Sequence, residues 1–268
     1  MNVSPMNRPA TLPPARRPGR LQRGIRAGGW WSLTAFALVV IVFLAWANTV
    51  RVADRAAADQ VFANPNVSVT DTPTAVILAP VDDTVGAEDT GLVFIPGARV
   101  DPYAYLYKLA GTVERTGVTV AIAKPVLNLA ILDQRPLSTF TGAVPDVSTW
   151  FVGGHSIGGV RACMLADDPA VAGLVLFGSY CAAPPQRSDL RVLSISGSAD
   201  GLSTPEDIAD SADLLPSDTR FVEIEGANHA RFGDYGVENG DGVATASTDV
   251  VAAEISRELA EFLTERTP

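Results

Sequence analysis

A serine, an aspartate and a histidine stand at positions where they could together perform nucleophilic catalysis. Ser156 lies in the segment VGGHSIGG, where Gly154 and Gly158 flank it in a Gly-x-Ser-x-Gly pattern. Serine becomes an effective nucleophile when a histidine removes its proton and an acid orients that histidine. His155 is next to the serine in the same turn, so the chain's other histidine, His229, is the predicted base.

The predicted acid is Asp200, in the segment SGSADG that directly follows the apolar run 192–195. The resulting chain order of serine, aspartate and histidine is the order of α/β-hydrolase triads. Three other aspartates are alternatives, but they precede that run or lie on a predicted helix: Asp189, Asp207 and Asp210.

Acyl transfer also needs two hydrogen-bond donors for the oxyanion. The backbone N–H of Ile157, directly after the nucleophile, is the first predicted donor. The second is the N–H of Ala98, in the loop that follows the apolar run 92–95, with Arg99 as the second choice. A plain Pro-Gly turn is the alternative interpretation of this loop.

Three residues are predicted to contact the substrate: Arg99, Tyr103 and Leu127. The last two follow strands at the same edge, although core packing explains both of them equally well. The acidic loop 234–241 matches no calcium-loop spacing and is predicted to be a solvated surface loop. The sequence contains no glycine-rich phosphate loop, zinc pattern or dinucleotide fingerprint, so neither a cofactor nor a metal is predicted.

Short apolar runs alternate with amphipathic segments from residue 73 onward. The runs, most of them rich in β-branched residues, are predicted strands at 75–78, 92–95, 118–122, 150–152, 174–177, 192–195 and 221–224. The predicted helices lie at 103–115, 127–141, 157–167, 204–213 and 248–265. This alternation predicts an α/β fold with a mostly parallel central sheet and helices on both faces. About a dozen residues separate 177 from 192, too few for a lid domain.

The N-terminal part has a different composition. Residues 1–29 contain six arginines and no acid, whereas residues 30–268 contain 14 basic and 30 acidic residues. Eighteen uncharged residues follow at 30–47, long enough to cross a bilayer, with tryptophans at both ends. These features predict a basic cytoplasmic tail at 1–29 and a transmembrane anchor at 30–48, with the remainder outside the membrane. The acidic body argues against nucleic-acid binding.

The predicted organisation continues with a helical stalk at 49–72 and a catalytic domain at 73–268. A cleaved signal peptide is the alternative to a retained anchor, because Ala45-Trp46-Ala47 has the small-x-small form of a cleavage site. Cleavage near Ala47 would yield a secreted protein. Cys163 and Cys181 lie in the exported part, where a disulfide could form, and two buried thiols are equally compatible with the sequence.

Four segments taken together resemble the α/β-hydrolase superfamily: FIPGARVDPYAYLYKLA, VGGHSIGG, SGSADG and GANHARFGDYG. The resemblance covers residues 73–265 and is nearest to small, lidless bacterial members similar to the dienelactone-hydrolase-like branch. It implies hydrolysis of carboxylic esters or related acyl bonds through an acyl-enzyme. Two residues depart from that branch: Ser156 stands where dienelactone hydrolases have a cysteine, and Pro96 occupies the oxyanion-loop position usually held by histidine.

The expected protein is a membrane-anchored, extracytoplasmic serine hydrolase without a cofactor. Its expected partners are a small-molecule ester and, through residues 30–48, the membrane; the sequence leaves the oligomeric state open. One alternative is an acyltransferase acting on a cell-envelope acceptor, and another is a non-catalytic binding protein that keeps the hydrolase fold.

Overall fold

The computed structural model describes residues 20–81, 87, 89–187 and 189–265, with side chains described from residue 30 onward. The chain divides into two compact units, and the boundary lies between Trp46 and Ala47. The first contains most of helix α1 (Arg20–Ala47). Its segment Trp30–Ala47 has a mean hydropathy of 2.1 and is long and apolar enough to cross a membrane, a test that an N-terminal signal sequence also passes.

An eight-stranded sheet forms the centre of the second unit. The strands are β1 (Val67–Asp71), β2 (Ala75–Pro80), β3 (Thr90–Ile95), β4 (Thr119–Ala123), β5 (Thr149–His155), β6 (Val171–Phe177), β7 (Arg191–Gly197) and β8 (Arg220–Ile224). Their order is β1-β2-β4-β3-β5-β6-β7-β8. The pairs β1–β2 and β2–β4 are antiparallel and the five other pairs are parallel. The carboxyl ends of seven strands, all except β2, therefore meet at one edge, which we call the catalytic edge.

Helices cover both faces of this sheet. The remaining helices are α2 (Arg55–Phe62), α3 (Leu106–Thr116), α4 (Ser138–Thr141), α5 (Ile157–Leu165), α6 (Pro205–Asp210) and α7 (Thr248–Thr264). The first hydrophobic cluster joins α2, α3 and α7 to one face of the sheet, and the second joins α4 and α5 to the other. Neighbouring strand residues such as Val93 and Phe94 enter opposite clusters, which is why these strands read as continuous apolar runs.

The fold agrees with the predicted α/β hydrolase architecture. No lid domain is inserted between β6 and β7 among the residues described there. The predicted stalk, 49–72, differs: it forms α2 and β1 of the compact second unit. Ala57, Ala58 and Val61 face inward from α2, so this short amphipathic helix gains its stability from packing against the domain.

The predicted helix at 127–141 is also different. The chain forms two 3-10 turns at Val126–Asn128 and Ala130–Leu132, followed by the four-residue helix α4. Leu127 and Asn128 have positive φ angles of 55° and 57°, which a continuous helix excludes.

Cys163 and Cys181 form a disulfide that links α5 to the segment following β6. Their Cα atoms are 5.7 Å apart, within the usual range for such a bond. Of the two states that the sequence allows, the structure therefore contains the disulfide.

Candidate active site

Ser156 occupies a sharp turn between β5 and α5. Its φ of 55° and ψ of −130° are costly for a residue with a side chain. The neighbouring glycines permit this turn: a Cβ on Gly154 would lie 2.4 Å from a backbone atom of Gly158, and one on Gly158 would lie 2.1 Å from the carbonyl oxygen of Ile95. The Gly-x-Ser-x-Gly spacing thus corresponds to two points of close backbone contact. Ser156 stands at the N-cap of α5, where N–H groups are unpaired.

Asp200 and His229 meet across the loops that follow β7 and β8. The Oδ2 of Asp200 is 2.8 Å from Nδ1 of His229, and both side chains are buried. The other carboxylate oxygen, Oδ1, accepts backbone hydrogen bonds from Leu202 and Ser203, each at 2.8 Å. With Nδ1 donating to this carboxylate, Nε2 is the ring nitrogen left with a lone pair.

The alternative acids have other partners. Asp189 pairs with Arg187, and Asp207 caps α6 through Thr204. Asp210 is exposed at the end of α6. Among the described residues, Asp200 is the acid whose side chain bonds the His229 ring.

Asp241 connects the loops of the predicted acid and base, and sequence reasoning missed it. Its Oδ1 accepts hydrogen bonds from the N–H groups of Gly201 (3.2 Å), His229 (3.1 Å) and Gly242 (2.7 Å). Its Oδ2 accepts one from Ala230 at 2.9 Å. No spacing signal in the sequence points to this role, because Asp241 lies in an irregular loop and acts on backbone atoms.

A buried ion pair holds the same loop from its other end. The Nζ of Lys108 in α3 is 2.7 Å from Oδ1 of Asp234, and the lysine side chain is fully buried. Burial lowers the pKa of Lys108 and raises the pKa of Asp234. The loop 234–241 is therefore not simply a solvated surface loop, because the acids at both of its ends have structural partners.

The predicted oxyanion donors differ in their availability. Within the described residues, the N–H groups of Ala98 and Ile157 have no hydrogen-bond partner in the chain. The N–H of Arg99, the second choice, donates to the carbonyl oxygen of Asn128 at 2.8 Å. This bond leaves the N–H of Arg99 unavailable to an oxyanion and joins the predicted oxyanion loop, residues 96–99, to the segment after β4.

The ring of His155 lies between the serine turn and the predicted base. Its centroid is 4.4 Å from that of the His229 ring, and its Nδ1 is 2.9 Å from the hydroxyl of Tyr105. That hydroxyl also accepts a hydrogen bond from the N–H of Gly97 at 2.9 Å. Burial and then the nearby His229 ring hold the pKa of His155 well below its usual range. A neutral His155 ring at this position packs against the His229 ring.

The residues predicted to contact substrate have the following contacts. Tyr103 packs against Phe62 of α2, with ring centroids 6.3 Å apart. The guanidinium of Arg99 donates to the Thr49 hydroxyl at 2.9 Å. Leu127 is half-buried in the turn after β4, at the catalytic edge. As substrate contacts, all three residues remain predictions.

No group of three or more histidine, cysteine, aspartate or glutamate side chains that could hold a metal lies in the described part of the chain. The site combines the buried hydrogen bond between Asp200 and His229, a serine in a strained turn at the same edge of the sheet, and two backbone N–H groups without a partner among the described residues. Such a set fits acyl transfer.

Comparisons with known proteins agree with this architecture. A sequence model described as the alpha/beta hydrolase family matches residues 91–252. The chain therefore belongs to the alpha/beta hydrolase family. No curated protein sequence matches it.

Many solved structures resemble this fold. A lidless a/b serine hydrolase from Xanthomonas campestris has a TM-score of 0.51 and 14% identity, covering 76% of this chain and 98% of that one. A predicted CIB-like hydrolase from Thermoplasma acidophilum has a TM-score of 0.51 and 15% identity, covering 74% and 98%. A bacterial membrane phospholipase A has a TM-score of 0.50 and 13% identity, covering 90% and 99%. At these identities the likeness concerns the fold alone.

Proposed function

We propose that this alpha/beta hydrolase is a membrane-anchored, extracytoplasmic serine hydrolase that cleaves carboxylic esters through an acyl-enzyme on Ser156. The observation that carries the proposal is the buried hydrogen bond between Asp200 and His229, at the edge where Ser156 occupies its strained turn. An orienting acid and a serine in this setting are the requirements of nucleophilic acyl transfer.

In the proposed mechanism, Nε2 of His229 takes the hydroxyl proton of Ser156 as the serine oxygen attacks the acyl carbonyl. The N–H groups of Ala98 and Ile157 hold the resulting oxyanion, and Asp200 stabilises the imidazolium. The imidazolium then protonates the leaving alcohol. Water, deprotonated by His229, attacks the acyl-enzyme and releases the acid, which restores the serine hydroxyl.

Two observations support a retained anchor and an exported domain. Ala47 is fully buried, and its carbonyl accepts a hydrogen bond from the Asn128 side chain at 3.2 Å. Signal cleavage after Ala47 would remove this residue from its packed site. The disulfide between Cys163 and Cys181 favours an oxidising compartment. A retained anchor predicts that the purified protein keeps its N-terminal mass and resists alkaline extraction from membranes.

The test of the proposed chemistry is labelling of the full chain, in detergent, with a fluorophosphonate probe. Turnover of p-nitrophenyl esters of increasing acyl length is then measured on the same preparation. The Ser156→Ala variant should lose labelling and at least about 10³-fold in kcat/KM. Ser148→Ala is the matched control, because Ser148 is exposed just before the other end of β5.

The alternatives give different results. A folded wild-type chain without labelling would contradict the catalytic proposal and favour a binding protein. Labelling with product formation only in the presence of an alcohol acceptor would favour acyl transfer over hydrolysis.

A further inference from the structure

We propose that the substrate is an ester lipid resident in a bilayer and that it enters the site through the catalytic edge of the sheet. This inference rests on the proposed function, since it needs both the anchor and the esterase chemistry. It adds the substrate class and the surface through which the substrate arrives.

The chain that leaves the apolar segment enters the domain at the oxyanion loop. Arg51 donates its N–H to the carbonyl oxygen of Arg99 at 2.6 Å and accepts from the N–H of Asp101 at 3.0 Å. Its guanidinium donates to the carbonyl oxygen of Ala98 at 3.2 Å and pairs with Glu238 at 2.6 Å. Arg51 thus joins the oxyanion loop to the loop that follows the predicted base.

The covalent path from the apolar segment to this point is short. Ala47 is the last residue of that segment, and four residues can extend at most about 14 Å to Arg51. Ala47 itself is held by Asn128, whose carbonyl oxygen binds the N–H of Arg99. No slack linker therefore separates the last residue of the apolar segment from the loop that contains Ala98, because Ala47 is itself packed in the second unit.

Exposed apolar side chains follow strand ends at the same edge. We call them the apolar rim, and their exposed fractions range from 38% for Leu202 to 94% for Val237. Three follow β4, one follows β7 and two follow β8: Val126, Ile131, Leu132, Leu202, Val237 and Val243. Exposed large apolar groups are a common feature of surfaces that bind membranes.

The acids beside the rim are compensated, which lowers the cost of bringing this edge against lipid. Asp133 pairs with Arg135, and Glu238 pairs with Arg51. The carboxylate of Asp241 accepts four backbone hydrogen bonds. Compensation of this kind reduces the desolvation penalty that an isolated carboxylate would carry.

A short tether gives a bilayer-resident substrate a high effective concentration at the catalytic edge. The experiment therefore uses the full chain reconstituted in phosphatidylcholine vesicles, with two substrates. One is dissolved p-nitrophenyl butyrate, and the other is a diacylglycerol with a fluorogenic acyl chain, present in the same vesicles. The readout is the ratio of bilayer-ester to dissolved-ester turnover.

The first variant carries a flexible Gly/Ser linker of 24 residues between Trp46 and Ala47, which leaves Ala47 and Arg51 in the domain. It should lower the turnover ratio about tenfold, because a long flexible linker lowers the effective concentration of the bilayer ester at the catalytic edge. An unchanged ratio would overturn the inference. If the wild type hydrolyses the dissolved ester but not the bilayer ester, the inference fails and the proposed function stands. If it hydrolyses neither and resists fluorophosphonate labelling, the proposed function itself fails.

The second test places charge on the rim. Leu132→Glu and Val237→Glu should each lower the turnover ratio, because a carboxylate resists insertion into the interface. Met164→Glu is the matched control: Met164 is 50% exposed near the end of α5, away from the catalytic edge. A control that lowers the ratio as much as the rim variants would overturn the inference.

Discussion

Replacing Asp241 by asparagine should reduce both the stability of the domain and the turnover of esters, although Asp241 is not part of the proposed triad. Its carboxylate accepts hydrogen bonds from backbone N–H groups of the loops that carry Asp200 and His229, including the N–H of His229 itself. Asparagine keeps one acceptor oxygen and adds an NH₂ group. If the oxygen faces Gly201 and His229, the NH₂ group faces the N–H of Ala230.

The magnitude follows from these contacts. The buried N–H of Ala230 would lose its acceptor, at a cost of about 1–3 kcal/mol. The bonds on the other oxygen would lose the contribution of the charge, about 1 kcal/mol in all. We expect Asp241→Asn to lower the free energy of unfolding by about 2–4 kcal/mol. Asp241→Ala should cost more, since the His229 N–H would also lose its acceptor.

The expected kinetic effect is on kcat. Loosening the two loops by about 1 Å can lower kcat about 10²-fold. KM should change little, because Asp241 does not contact the substrate in the proposed mechanism. The assays are urea unfolding and p-nitrophenyl ester kinetics on the full chain. Asp207→Asn is the matched control, an exposed aspartate that also accepts a backbone N–H, at the N-terminus of α6. The reasoning would be refuted if Asp241→Asn kept the wild-type kcat and its unfolding free energy lay within about 0.5 kcal/mol of the wild-type value.

Three further outcomes are expected. Because the folded-state pKa of His155 lies well below the unfolded value near 6.5, the unfolded chain binds the extra proton as the pH falls. The contribution of His155 to the free energy of unfolding is therefore complete above pH 6.5. Below that pH it is lost at up to about 1.4 kcal/mol per pH unit. Urea unfolding measured from pH 7.5 to 5 should show this slope in the wild type and not in His155→Asn. Gly158→Ala should abolish fluorophosphonate labelling, since its Cβ would clash with the backbone of Ile95 and Pro96. Gly236→Ala is the control: Gly236 has a positive φ but open space around it, so the variant should lose only about 1 kcal/mol of unfolding free energy and keep labelling. Replacing both Cys163 and Cys181 by serine removes a disulfide between residues 18 positions apart and should lower the free energy of unfolding by about 3 kcal/mol. A reductant should destabilise the wild type by the same amount and leave the double variant unchanged.

The sequence alone was sufficient for the class of fold. Alternating apolar runs and amphipathic segments have local periods, and these periods follow from the geometry of strands and helices. The sequence was also sufficient for the serine turn. Glycines flank Ser156 because the backbone makes close contacts there that leave no room for a side chain. The mostly parallel sheet then brings the loops after β7 and β8 to one edge, so the proximity of Asp200 and His229 could be anticipated from chain order.

Other features depended on contacts between residues far apart in the chain. The sequence of 49–72 predicts a polar stalk because α2 is short and β1 lies at the end of the sheet. Only their packing against the domain shows that α2 and β1 belong to the domain. The helix predicted at 127–141 fails because Leu127 and Asn128 adopt positive φ angles.

Asp241 and Arg51 act on backbone groups of distant loops, so their own types and spacing carry no signal of their partners. Hydropathy and spacing are properties of neighbours along the chain. A hydrogen bond from His229 to a carboxylate twelve residues away, or from Arg51 to the carbonyl oxygen of Arg99, 48 residues away, forms only when the whole sheet has assembled.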